Sequence, residues 1–322
     1  MLKVDVVIPC YCVGNQIWNV LDGVLKQKVI RNIVVVDDAC PEHTGKLVTE
    51  KFENEERVIV LTNESNLGVG GAMCAGYKYS FEHGADIVVK MDGDGQMDSK
   101  HIQAIIKPIV DGKCDYTKGN RFFYPQHLQS MPIIRLIGNS ALSLINKFTS
   151  GYWSVMDPTN GYTALHRNAY YQLIHENLAR DYFFESDMLY QLGNAQAVIQ
   201  DIPLPAIYAN EVSHLQVSRV LLKFPGRYLK RFFKRIILRY FIRDFNFASL
   251  EIIFGSCLFF IGLSFGFYKW ITNFIQGIST PAGTVMIVGI LIIIGFQMLL
   301  SALNYDVSHE PKIPLSYLEI EK

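Results

Sequence analysis

The chain lacks the marks of several common classes of protein. Its 30 Lys and Arg are balanced by 30 Asp and Glu, and the resulting zero formal net charge argues against a general nucleic-acid binder. The six cysteines (Cys10, Cys12, Cys40, Cys74, Cys114, Cys257) contain no CxxC pair and no zinc-like spacing, so neither a thiolate metal site nor a disulfide framework is expected. No charged segment followed by an apolar one precedes the strand-like run Val4 to Ile8, so no signal peptide is expected and the domain reads as reduced and cytosolic. No internal repeat, low-complexity tract or QxxRW sequence occurs.

Over residues 1–120, short β-branched runs alternate with amphipathic stretches, the pattern of a parallel sheet with crossover helices in an α/β fold. Strands are expected at Val4–Ile8, Ile33–Val36, Val58–Leu61 and Ile87–Met91, with a weaker one at Asp115–Lys118. Between them, Ile17, Leu21, Val24 and Leu25 form one apolar stripe. Thr44 is a candidate N-cap for a helix burying Leu47, Val48 and Phe52, and Gly84 would close a third helix. Polar clusters follow four strands directly, at Pro9 to Tyr11, Asp37-Asp38, Asn63 to Gly68 and Asp92 to Gln96. Ligands of open parallel sheets bind at the carboxyl ends of the strands, so these clusters point to one site.

Residues 120–215 read as the acceptor half of the same domain, with a helix at Ile133–Phe148 and a turn at Asp157 to Gly161. From Gln216 to Arg243 there are nine basic residues and no acidic one. Arg219, Lys223 and Arg227 share a helix face, and Phe233, Ile236, Ile237 and Tyr240 form an apolar face beside Lys234, Arg235 and Arg239. An interfacial helix on an anionic membrane surface is therefore expected over 216–246. Two uncharged runs follow, Ile252–Tyr268 and Trp270–Tyr305, with a turn at Pro281 and Gly283; Ile252–Tyr268 and, within the second run, Val285–Leu303 are each near the ~20 residues that cross a bilayer. The basic excess before the first run places the catalytic domain, 1–215, and the tail, 306–322, in the cytoplasm, with a hairpin of two spans over 247–305 in the cell membrane.

In the segment Met91 to Gln96, read as extended, Asp92, Asp94 and Gln96 would present three oxygen-bearing groups to one point. Hard oxygen ligands suit Mg²⁺ or Mn²⁺, which neutralises a diphosphate. An EF-hand is excluded, since the bidentate Glu and flanking helices are missing. Asp37 and Asp38 offer carboxylates to a base or ribose, or else cap a helix. Asn66 and Gly68 open a helix whose N-terminus could meet phosphate, but a glycine turn packed on the sheet is the stronger reading there.

The ordered segments VVIPCY, VVVDDACPEHT, NLGVGGA and MDGDGQ, over residues 4–165, resemble the family 2 glycosyltransferases of GT-A fold, above all the polyprenyl-phosphate hexose transferases. The resemblance implies that Pro9, Tyr11 and Asp38 line a nucleotide pocket, that Asp92, Asp94 and Gln96 hold metal and diphosphate, and that Arg121 and Arg135 bind a lipid phosphate. It likens Asp157 to Tyr162 to an acceptor-side segment. The chain departs from the family at Cys12-Val13, where Asn-Glu is usual, and at Ser213-His214, where many relatives carry Ser-Lys. Phe183 to Asp187 resembles the acidic motif of other family 2 enzymes. The expectation is transfer of a hexose, with inversion, from a UDP- or GDP-sugar to a polyprenyl phosphate. The alternative is transfer to a hydroxyl, with Asp187 or Glu185 as general base. Homo-oligomerisation is left open.

Overall fold

The computed structural model describes residues 2–124, 133–174, 178–205 and 217–318; the side chains of 134, 135 and 217–223 lie outside the described set. Ser213-His214 falls outside it too, as do the side chains of Arg135, Arg219 and Lys223. Residues Met1–Phe232 with Pro311–Lys322 form one compact unit and Phe233–Glu310 a second.

The first unit is built on a seven-stranded sheet: β1 (Val4–Cys10), β2 (Ile30–Asp37), β3 (Val58–Thr62), β4 (Ile87–Lys90), β5 (Tyr116–Asn120), β6 (Thr163–His166) and β7 (Ile199–Pro203). Their spatial order is β3-β2-β1-β4-β6-β5-β7. All neighbours are parallel except at β6, which runs antiparallel to both β4 and β5. Alternation along the strands divides the core into two layers. Val6, Ile8, Ile33 and Val35 pack with α1 (Gln16–Leu25) and α4 (Ile102–Val110), whereas Val7, Val34 and Val36 pack with α3 (Gly68–Glu82) and a later helix, α7 (Phe184–Ala195).

Two local expectations change. Thr44 is the first residue of α2 (Thr44–Lys51), not its cap. The Asp37 carboxylate takes that role, accepting from Gly45 N–H at 2.7 Å and from Cys40 N–H at 2.7 Å. Leu47 faces outward, 46% exposed, because two turns of helix can bury only one stripe and Val48 fills it. Gly84, with φ +84°, does follow the C-cap of α3, where a side chain would be strained. Helix α5 (Ile133–Ser150) lies two residues longer than the apolar pattern suggests, and α6 is the short Arg167–Tyr171.

In the second unit, α9 (Phe247–Gln276) and α10 (Ala282–Ser308) follow the basic helix α8 (Val217–Ile237), which straddles the two units. Only 17% and 11% of their apolar windows are buried within the chain, so most of this apolar surface faces outward, unlike that of a soluble core helix. Close packing of the pair depends on glycine: a Cβ at Gly295 would lie 2.5 Å from Phe259 N. The expectation that Arg235 and Arg239 face lipid headgroups is corrected. Arg235 is 2% exposed and paired in two-pronged fashion with Asp306, Arg239 lies 3.4 Å from the same carboxylate, and Tyr240 donates to it at 2.6 Å. A carboxylate at the end of an apolar helix must be matched by charge, and these are the cations in reach.

Glycine in α3 is required by contact with the sheet. A Cβ at Gly76 would sit 2.3 Å from Val7 Cγ1. Gly76→Ala should therefore destabilise by about 1–3 kcal/mol through overpacking, against the gain of roughly 1 kcal/mol that helix propensity alone predicts. Thermal melting of the full chain in detergent reads the sign; a raised midpoint contradicts the packing.

Candidate active site

The polar strand ends do meet along one edge, but their carboxylates divide into two kinds. Asp38, 3% exposed, accepts from Asn63 Nδ2 at 2.8 Å, Leu67 N–H at 2.9 Å and Gly68 N–H at 2.7 Å, tying the end of β2 to the start of α3. Asn66 Oδ1 also accepts from Gly68 N–H, while the amides of Gly70 and Gly71 donate to Arg180 O. The first-turn amides of α3 are thus engaged by the protein, in line with a packed glycine turn. Asp37 likewise spends both oxygens on backbone amides. Pro9 and the half-exposed ring of Tyr11 stand at the end of β1, between the ends of β2 and β4.

The second kind lies after β4. The segment is not extended as the alternation argument assumed: β4 stops at Lys90, and residues 93–95 turn, with Gly95 at φ +78°. Gly93 lets the turn settle on the first loop, since a Cβ there would touch Ile17, Val13 and Cys10 at 3.3–3.5 Å. Asp94 Oδ1 accepts from Gln96 N–H at 3.0 Å. Asp92 and Gln96 line a cleft together with His101, Arg121, Asn160, Gly161 and Tyr162.

Arg121 is held by Asp157. Its Nε and Nη2 donate to the two carboxylate oxygens at 2.7 and 2.8 Å, and Asp157 is wholly buried with its backbone in the left-handed region, φ +54°. Burial would raise the Asp157 pKa, but Arg121 outweighs it and the carboxyl sits below its ordinary range. Lys118, 1% exposed, binds the carbonyls of Met156 and Asp157 and lies 3.2 Å from Asp201 on β7. The sequence reading saw in Asp157 to Gly161 a turn of acceptor-side type; the clamp on Arg121 is what it missed.

Asp187 stands away from this cleft's lining. Its side chain is buried in α7, paired with Arg231 Nε at 2.8 Å and accepting from Ala179 N–H at 2.8 Å; burial pushes its pKa up, against the pull of Arg231. Glu185, two residues earlier, is the acidic side chain that approaches Asp92: both lie on Lys90, at 3.3 and 2.6 Å from its Nζ. Burial alone would lower the Lys90 pKa, yet the two carboxylates raise it above its ordinary range. Lys90 was legible in principle as the single charge in the apolar run Ile87–Met91, two residues before Asp92.

Among the described residues, no three His, Cys, Asp or Glu side chains converge as a closed metal cage. Two carboxylates and an amide on one turn, Asp92, Asp94 and Gln96, are the hard oxygen donors that fit an open Mg²⁺ or Mn²⁺ site whose remaining ligands come from diphosphate and water.

The Glycosyl transferase family 2 profile matches residues 5–174, more than half of the chain. The chain belongs to that family. It is 31% identical over 245 residues to a UDP-N-acetylglucosamine-dolichyl-phosphate N-acetylglucosaminyltransferase of Methanococcus voltae, covering 72% of this chain and 94% of that one. It is 26% identical to an undecaprenyl-phosphate mannosyltransferase of Micrococcus luteus, over 54% of this chain and 70% of that one. The fold resembles glucosyl-3-phosphoglycerate synthase of Mycobacterium tuberculosis, with TM-score 0.52, 17% identity and coverage of 73% and 80%. The chain is a glycosyltransferase of GT-A fold.

Removing Arg121 strands a buried carboxylate. Arg121→Ala should cost about 3–5 kcal/mol of stability, and Arg121→Ala with Asp157→Asn should recover much of it. Thermal melts of the two full-length variants check this; an Arg121→Ala protein as stable as wild type contradicts the clamp.

Proposed function

We propose that this glycosyltransferase moves a hexose from a UDP- or GDP-sugar to a polyprenyl phosphate at the cytoplasmic face of the membrane, with inversion at the anomeric carbon. The observation that carries the reading is the cleft itself, which is lined by Asp92 and Gln96 and also by Arg121, whose guanidinium Asp157 holds. The two relatives named above act, by their names, on dolichyl and undecaprenyl phosphates, which supports the same acceptor class here.

In this reading Asp92, Asp94 and Gln96 hold the donor's diphosphate through Mg²⁺ or Mn²⁺, and Pro9 and Tyr11 flank its nucleoside. The bound ion supplies charge stabilisation for the departing diphosphate. Arg121, joined by Arg135 at the start of α5, orients the acceptor phosphate for in-line attack. A phosphate monoester, with its second pKa near ~6, is already anionic at neutral pH and needs no general base. This agrees with Asp187 being consumed by Arg231 and Ala179. The hydroxyl-acceptor reading retains one candidate base, Glu185, but its carboxylate is engaged by Lys90.

Two features of the chain support the cytoplasmic orientation in this reading. After α10 the chain returns to the catalytic unit, where the buried Asp115 carboxylate accepts from Leu315 N–H at 3.0 Å and Ser316 N–H at 3.3 Å. An even number of crossings satisfies this, and the nine basic residues before α9 favour the cytoplasmic side.

Asp94→Ala should abolish turnover in a protein that still melts cooperatively. Arg135→Ala, and Arg121→Ala in the Asp157→Asn background, should raise KM for lipid phosphate and lower kcat while leaving nucleotide-sugar affinity nearly unchanged. Asp187→Asn should cost far less than the ~10²–10⁴-fold expected on loss of a general base. Steady-state kinetics with one lipid acceptor decide: a severe Asp187→Asn or Glu185→Gln defect beside near-normal arginine variants favours the hydroxyl acceptor.

A further inference from the structure

Lys90 is among the largest fully buried side chains of the protein and is the last residue of β4. The chain leaves the strand there and brings the Asp92 carboxylate back onto it, with Oδ1 2.6 Å from the ammonium. Glu185, in the first turn of α7, brings a second carboxylate to 3.3 Å. A third element closes over the pair: a Cβ at Gly161 would lie 2.4 Å from Lys90 Nζ and 2.7 Å from Asp92 Oδ2. One cation between two carboxylates at a strand end is the charge arrangement that a divalent ion would otherwise satisfy.

We propose that Lys90 is a positioning residue that fills the inner half of the acidic site with a built-in cation, so that a divalent ion enters only together with a nucleoside diphosphate. The inference rests on the donor-site reading above. With Lys90 in place, Oδ1 of Asp92 is engaged and Glu185 is drawn inward. The ion is then left the second oxygen of Asp92 and the turn Asp94 to Gln96, too few protein ligands to hold it strongly. The diphosphate oxygens complete its coordination, which makes metal and nucleotide uptake mutually dependent.

The test uses the full chain in detergent and reads free Mn²⁺ by electron paramagnetic resonance, with and without UDP or GDP. Wild type should bind Mn²⁺ at least tenfold more tightly in the presence of the diphosphate. Lys90→Met, freeing Asp92 and Glu185, should bind Mn²⁺ alone at least tenfold more tightly than wild type, with less gain from nucleotide. Lys90→Arg should restore the wild-type pattern, which a merely space-filling role would not do. A folded Lys90→Met protein with wild-type affinity for Mn²⁺ alone overturns the proposal, and so does a wild type that binds UDP or GDP, by equilibrium dialysis, yet binds Mn²⁺ equally with and without it. If Lys90→Met does not fold, the wild-type comparison decides by itself. Failure of both diphosphates to bind counts against the donor-site reading instead, and the metal-alone comparison of Lys90→Met with wild type still decides the role of Lys90.

Discussion

The arrangement of the cleft hangs on one buried ion pair, Arg121 with Asp157. A wholly buried carboxylate on a left-handed residue is costly unless every oxygen is matched, and the two-pronged guanidinium at 2.7 and 2.8 Å supplies that match. Lys118 fixes the carbonyl side of the same loop and reaches Asp201, so β5, β7 and the loop move as one body. Four residues on, Gly161 presses against Lys90 and Asp92. A single short loop therefore touches both Arg121 and Asp92 at the cleft.

The strand-end carboxylates look alike in sequence and serve differently in the fold. Asp37 and Asp38 spend their oxygens on backbone amides and shape the edge, whereas Asp92 and Asp94 sit on a turn that opens to the cleft or its margin. The edge as a whole was legible because apolar runs ending in polar clusters mark strand ends whatever the tertiary contacts. Which carboxylate serves which purpose was not, because it depends on loops arriving from elsewhere in the chain. Glu185 and Asp187 make the same point. Two residues apart on a helix they face different ways, so only one of them can meet Asp92, and the sequence does not say how α7 is rotated. The antiparallel β6 was also hidden, since Thr163–His166 is too short to carry a periodic signal.

The two long apolar helices were legible from length and hydropathy, but their foot was not. The apolar run ends at Tyr305, yet α10 continues to Ser308 and buries Asp306 beneath Arg235, Arg239 and Tyr240. Two arginines from the basic face and a tyrosine from the apolar face are thus drawn to one acidic side chain. That anchor fixes the residues leading into α9 to the residues leaving α10. The apolar outer faces of the hairpin remain for lipid.

The central claim is transfer of a sugar onto a lipid phosphate, and the linkage of the product tests it most directly. Membranes bearing the full-length chain are incubated with labelled UDP- and GDP-hexoses, and the lipid extract is treated with mild acid. The account predicts a labelled, phosphate-linked lipid that mild acid cleaves. A labelled product that resists mild acid, with the sugar carried on a hydroxyl, contradicts it.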